Sequence, residues 1–577
     1  MEKKKKDSPH KIAARKVAEA ERLRRAGELE ASEAACREAL EIDPKIRVEA
    51  LAALGATLND QGRVEESLAA YEESLGEQAD QPNIYSALAL ICLARGSAGK
   101  ALLLAEKACE LAPGLASAKV TRATVLDQSG YIDEAFSELS LAYRVAPREL
   151  ENITALTIFV ARRGLSPAVI QQGEWHDCEA AALGAFHTGS MDVSYLAAAA
   201  EAILCAEYDF LVLGAETDGA SHQRLANDEL FIRLLQECVV TYSVIEIFCA
   251  QLRRAICLLH QNCDELPVAA ARLAATLALQ NYDNGYVVWA DAEEDKLLAG
   301  EAERLREVLQ AAKSNVTGAT RAALQLYAMY RPLAQYSGAG AILDLPLGGE
   351  AGRLVLLTIR EMRELASGVE RMPNFADSMP GEISPPADRP FLPWAHFPVP
   401  DPGSLMVYLR RLFPGYSPPG WSSDGCDVLV PGCGSGEVAT HMALYFPASR
   451  VSAIDWQKPA LSCGDRRALK IGVENFKFSA GDAMSAGAGE RRFQFIDARD
   501  AIHEFPAALL AVLAKLLVSG GLLRLDVAGR DHAEIVRVAF ELGASQAQGS
   551  LQFARRDIAQ SGHEACQYLR RQENFTI

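Results

Sequence analysis

Three glycines within five residues, Gly432-Cys433-Gly434-Ser435-Gly436, follow an apolar run and precede a helical stretch. Glycines let a ligand come close to backbone amides, and at a helix N-terminus those amides point outward. Asp455 closes the run RVSAID, nineteen residues past the last glycine. An acid at the end of a second strand can accept from both hydroxyls of a ribose. Asp482 closes FKFSAGD, where its carboxylate can accept from an amino group on a base. Trp456 follows the first acid and can cover the face of that base. Cys433 is read as a small residue in a tight loop rather than a nucleophile.

Two ligand classes use such a layout. A dinucleotide site needs G-x-G-x-x-G, because pyrophosphate rests on the helix N-terminus. Position 437 is Glu437 instead of the third glycine, and its carboxylate would repel phosphate. A ligand with a nucleoside, a sulfonium and an amino-acid end meets no such repulsion. The residues therefore favour S-adenosylmethionine over a dinucleotide.

The elements that must hold these groups alternate between strand and helix. CDVLVP is followed by VATHMALYF, then RVSAID, FKFSAGD, RFQFIDA, AALLAVLAKLL and GGLLRLDVA. This alternation predicts an open, mostly parallel, doubly wound α/β sheet of Rossmann-like type. Ligands in such sheets sit at the carboxyl ends of the strands, where the strand order reverses.

LVPGCGSGE, SAIDWQ, SAGDAM, FIDARDAIHEF and LLVSGGLLRLDV resemble the successive motifs of class I S-adenosylmethionine-dependent methyltransferases. More narrowly, the chain resembles a group of bacterial proteins in which tetratricopeptide repeats precede such a domain. LALQNYDNGYVV, LYAMYRPLAQY and PWAHF in the middle segments are similar to that group as well. The resemblance implies that Gly432, Gly434 and Gly436 wrap the methionine and ribose parts. It implies that Asp455 holds the ribose, and that Asp482 with Ala483 holds the adenine. It places His503 at the end of the fourth strand, facing the methyl group. His503 and Glu504 are then the candidate bases for removing a proton from the nucleophile, with Asp497 and Asp500 behind them. The chain departs from the family at Val430, where an acid usually helps hold the methionine ammonium. It departs again at Glu504, where a second histidine is frequent, and at Arg499 and Asp500. The sixth and seventh strands are expected to be short, altered or missing.

The N-terminal part repeats. Gly27, Gly62, Gly96, Gly130 and Gly164 are spaced by 35, 34, 34 and 34 residues. Five places after four of them stand Ser32, Ser67, Ala101 and Ala135, and small residues recur at Ala39, Ser74, Ala108 and Ala142. Small side chains let two antiparallel helices approach, a glycine supplies positive φ in the turn, and a proline ends the second helix. This resembles the tetratricopeptide repeat, which implies an all-α solenoid whose groove takes a protein or peptide. The alternative is assembly, with the repeats bracing the next domain or a second copy in a homo-oligomer.

The expected organisation is a basic disordered tail at 1–11, repeats over 12–165 and an all-α middle domain over 166–385. A Pro-rich linker over 386–403 and the methyltransferase domain over 404–577 complete it. Tyr282, Tyr286, Trp289 and Tyr327 are read as packing residues of the middle domain. At about 150 residues per domain, 577 residues suit this multidomain plan. With 49% hydrophobic and 23% charged residues the chain is that of a globular protein, not a disordered one. A net charge of −18 argues against a nucleic-acid partner. No apolar run is long enough for a membrane span, and no secretory signal is read at the start. The scattered cysteines show no metal-binding spacing and point to reduced thiols in a cytoplasm.

The function expected is methyl transfer from S-adenosylmethionine to a protein or peptide docked by the repeats. The alternatives are a small-molecule or glycan methyltransferase whose repeats serve assembly, or a non-catalytic repeat scaffold with a degenerate domain. No glutamate pair follows the fourth strand and no N-P-P-Y run is present, so the methylated atom is not specified.

Overall fold

The computed structural model describes residues 8–25, 28–173, 175–189, 191–213, 219–240, 242–261, 265–284, 286, 292–298, 300–312, 316–360, 368, 372–373, 405, 425–481, 492–498 and 506–524. They fall into two compact units. One takes the helices up to Ile84 and the C-terminal sheet, the other the helices from Tyr85 onward.

The repeats are helix pairs. They comprise α1 (Pro9–Arg25) with α2 (Leu29–Ile42), α3 (Arg47–Asp60) with α4 (Val64–Glu77), and α5 (Pro82–Ala94) with α6 (Ala98–Leu111). Then come α7 (Ala116–Gln128) with α8 (Ile132–Val145), and α9 (Leu150–Arg163) with the short α10 (Pro167–Gln172). The first helix begins at Pro9, inside the stretch expected to be a disordered tail. Gly62, Gly96 and Gly130 have φ of 77°, 75° and 88°. Around each, the next residue's N–H reaches back five places: Arg63 to Leu58, Ser97 to Cys92 and Tyr131 to Leu126, all at 2.9 Å. That is the Schellman ending, which satisfies a carbonyl at the helix end and needs a left-handed residue that glycine supplies. Gly27 lies outside the described residues.

The small residues named above are all fully buried between paired helices. Ser32 donates to the Ala20 carbonyl at 2.7 Å and Ser67 to the Gly55 carbonyl at 2.6 Å, the same offset in successive repeats. A Cβ on Gly55 would lie 2.7 Å from the Tyr71 ring, so glycine here permits the close approach of α3 and α4. Proline follows the second helix of three pairs, at Pro44, Pro113 and Pro147.

In the second unit one apolar core runs from Ala123 to Ile359 without a break at the end of the repeats. Helices His176–Thr188 and Val193–Glu207 pack on α9 just as a further repeat would. Phe186, Phe231 and Phe248 are fully buried in this core, and the Phe210 ring meets that of Phe248 at 5.0 Å, tilted by 49°. Tyr286 donates to the Ala328 carbonyl at 3.1 Å, and Tyr327 meets the Tyr336 ring edge-on at 5.5 Å. Both are packing residues; Trp289 lies outside the described residues. Among the described residues no helix is long and apolar enough to cross a membrane.

The C-terminal domain is a five-stranded parallel sheet in the order β3-β2-β1-β4-β5. Its strands are β1 (Asp427–Pro431), β2 (Arg450–Asp455), β3 (Phe476–Ala480), β4 (Phe493–Asp497) and β5 (Leu517–Arg524). The connecting helices are α11 (Glu437–Tyr445), α12 (Lys458–Ile471) and α13 (Pro506–Leu516). β1 and β2 are almost wholly buried apolar runs, as strands covered on both faces must be. The chain goes outward from β1 through β2 to β3, then returns to the other side for β4 and β5. Right-handed crossovers therefore put helices on opposite faces, and the order reverses between β1 and β4. The fold is thus helical repeats and helices followed by a doubly wound α/β domain. The Pro-rich linker and any strands after β5 lie outside the described residues.

Candidate functional site

The glycine loop leaves β1 at the point where strand order reverses, and it is tied to β2 at two places. The Cys433 N–H donates to the Ile454 carbonyl at 3.2 Å. The Gly434 N–H donates to the Asp455 carboxylate at 2.8 Å. Gly432, Gly434 and Gly436 have φ of 65°, 51° and 81°, so the loop takes three left-handed steps within five residues. The Gly436 N–H closes it onto the Cys433 carbonyl at 2.8 Å, and α11 starts at the next residue. Glu437 thus stands in the first helical turn, where its charge suits the helix dipole and opposes a phosphate.

Asp455 is the hub of this arrangement. One carboxylate oxygen accepts from Gly434 and the other from the Gln457 N–H at 2.8 Å, while its own carbonyl accepts from the Gly481 N–H at 2.9 Å. A carboxylate has about four acceptor sites, so capacity remains for a ligand hydroxyl. The side chain is buried. Burial pushes the Asp455 carboxyl up from its ordinary value, and the amides of Gln457, Gly434 and Trp456 pull it partly back. The next side chain, Trp456, is 43% exposed and free to cover a flat ligand. A Cβ built on Gly434 meets nothing within 4 Å, so the loop has open space on that side.

The structure therefore brings Gly432, Gly434, Gly436, Asp455 and Trp456 together. Asp482 and Ala483 lie outside the described residues, as do His503, Glu504, Arg499 and Asp500. Asp455 pairs in register with Ala480, which places the strand end before Asp482 beside the hub. Asp497 ends β4, fully buried, next to β1 across the reversal of order. Val430 is buried in the core of β1 and offers no acceptor for an ammonium. Cys433 is a buried thiol within 3.9 Å of its neighbour's carbonyl, consistent with a filler. The described cysteines are free thiols, most of them buried. Among the described residues no group of His, Cys, Asp and Glu could hold a metal.

Three features escaped the sequence reading. Phe478 of β3 sits directly under Gly436, whose added Cβ would come within 2.2 Å of the ring. Gly464 of α12 would bring a Cβ within 2.3 Å of the Ser435 carbonyl oxygen. The third is a short stretch expected to belong to the helical middle domain. Pro373 accepts from the Ala480 N–H at 2.7 Å, and Met372 packs on the sheet's core. The outer edge of β3 needs a partner for that amide, which no pattern in the sequence announces.

An open parallel α/β domain with a glycine loop and an acid at its switch point is thereby defined. Residues 428–521 match the family described as a methyltransferase domain, so the C-terminal part of the chain is a domain of that kind. Curated protein sequences gave no match. Among solved structures, PKMT2 from Rickettsia typhi in complex with AdoHcy is 21% identical, covers 29% of this chain and 34% of its own, and has a TM-score of 0.20. The chain thus spans about a third of that protein's length. Naa15/Naa10 bound to HypK-THB is 14% identical over 62% of each chain, with a TM-score of 0.23. A mutant O-GlcNAc transferase of Thermobaculum terrenum is 15% identical, covers 95% of this chain and 88% of its own, and has a TM-score of 0.18. These likenesses are too slight to carry fold or function across.

Proposed function

We propose that the C-terminal domain is a class I methyltransferase that uses S-adenosylmethionine, and that its acceptor is a protein or peptide docked on the helical repeats. The observation that carries the cofactor reading is the hydrogen bond from Gly434 to Asp455, in a domain that matches a methyltransferase family. It joins the two groups that a ribose must touch at once. Bound there, the cofactor supplies a methyl group on a positively charged sulfur, open to in-line attack.

The chain's own residues do the positioning. Asp455 accepts from the ribose hydroxyls while its other lone pairs stay on the loop. The glycine loop presents amides and no side chains to the cofactor, and Trp456 with Asp482 and Ala483 frames the adenine. His503, with Glu504 beside it, takes the proton that the acceptor loses. Alignment of this kind can contribute about 7–11 kcal/mol at best. The repeats support a polypeptide acceptor because paired helices of this type offer a long surface to a chain. The free thiols support a reducing compartment such as the cytoplasm.

Val430 favours a second reading, a repeat scaffold with a non-catalytic domain, because it leaves the methionine ammonium one acceptor short. Calorimetric titration with S-adenosylmethionine separates the two: no heat of binding from the folded chain supports the scaffold. Incubation of the chain with a lysate and cofactor labelled on the methyl group tests the acceptor. Label on protein bands supports a polypeptide, and label only in the small-molecule fraction refutes it.

A further inference from the structure

We infer that Gly464, in the middle of α12, is a positioning residue for the cofactor loop, acting together with Phe478. The inference rests on the S-adenosylmethionine reading above. Gly464 stands about two turns from either end of α12, where a glycine weakens a helix. The reason lies across the domain. A Cβ at Gly464 would stand 2.3 Å from the Ser435 carbonyl oxygen, 2.9 Å from its carbon and 3.1 Å from the tip of Phe478. The first two atoms are backbone, which cannot swing aside as a side chain can.

Ser435 lies between Gly434, held by Asp455, and Gly436, whose φ of 81° starts α11. Phe478, buried on β3, props Gly436 from below. The loop is thus held on three sides: by Asp455 at its front, by the Phe478 ring beneath and by the bare backbone of α12 behind. Gly464 sets how far back the loop can sit, and so how much room remains in front for the ligand.

The test is Gly464→Ala. To regain an ordinary contact of 3.4 Å the Ser435 carbonyl must retreat by about 1 Å, toward the ligand side. A loop moved that far loses a hydrogen bond to the ligand, which corresponds to about a two- to tenfold fall in affinity. Calorimetry with S-adenosylmethionine should show the dissociation constant rising by that factor, although alanine favours the helix itself. Gly472→Ala is the control. Gly472 ends the same helix with φ of 82° and has nothing within 4 Å of an added Cβ. It should lower the melting temperature and leave the dissociation constant unchanged.

Equal affinity in Gly464→Ala and wild type overturns the inference while leaving the cofactor reading intact. So does an equal loss of affinity in both glycine variants, which would make the effect one of helix stability. Absence of binding by the wild-type chain removes the cofactor reading and the inference with it. Should Gly464→Ala fail to fold, Phe478→Leu decides: it takes away the prop under Gly436 while the sequence of α12 is unchanged. Weaker binding then supports the inference, and an unchanged dissociation constant overturns it.

Discussion

Replacing Asp455 by asparagine keeps the shape of the hub and removes its charge. Every partner the carboxylate has in the structure is a donor: the Gly434 N–H on one oxygen and the Gln457 N–H on the other. Asparagine offers one oxygen and an NH2, so one of those amides must face another donor. Leaving such a buried amide unmatched costs about 1–3 kcal/mol. Against that, burial penalises the ionised aspartate and not the neutral amide. The two effects oppose, and the change in fold stability should stay within about 2 kcal/mol. Binding has no such offset. A ribose hydroxyl loses a charged acceptor worth about 1.5–3 kcal/mol. At about 1.4 kcal/mol per decade, the affinity for S-adenosylmethionine should fall about 10- to 100-fold. Calorimetric titration at neutral pH gives the dissociation constant, and thermal unfolding gives the stability. An unchanged dissociation constant in a folded Asp455→Asn variant would refute the ribose role.

The same carboxylate should make binding depend on pH. Its pKa in the fold is raised by burial above the ordinary 3.8, so the native state holds the proton more tightly than the unfolded chain does. Its ionised form therefore costs stability above the raised pKa, a cost relieved as pH falls through it. Affinity should consequently weaken on acidification at pH values still above 3.8, and Asp455→Asn should lose that dependence. Phe231→Ala, in the separate core of the second unit, should destabilise those helices by about 3–5 kcal/mol. Urea unfolding followed by circular dichroism reads this, and the dissociation constant for S-adenosylmethionine should not move. Ser67→Ala removes the bond to the Gly55 carbonyl and should cost about 1 kcal/mol in urea unfolding. Gly55→Ala should destabilise despite alanine's better helix propensity, because its Cβ meets the Tyr71 ring. A variant as stable as wild type would show that the ring yields freely.

What could be read from the residues was whatever repeats or alternates. The glycines of the repeats were legible because each needs a left-handed turn at a fixed interval, and Gly62, Gly96 and Gly130 all adopt one. Ser32 and Ser67 were legible as small, though their donation to a carbonyl of the partner helix was not. The strands were legible from apolar runs ending in acids, and the meeting of Asp455 with the glycine loop followed from where such runs end. Gly464, Phe478 and Pro373 were hidden for a common reason. Each acts on a residue distant in sequence, through contacts that leave no period. The boundary expected at residue 165 rested on the end of the glycine spacing. Packing ignores it, because α9 needs its apolar face covered whatever the spacing of the next helix.

Pro373 has a consequence beyond the ligand rim. A sheet that ends in an open strand invites another chain to extend it. Here the carbonyl of residue 373 satisfies the last amide of β3, so that donor is already engaged. A neighbouring molecule seeking to lengthen the sheet from that end finds its first hydrogen bond already taken.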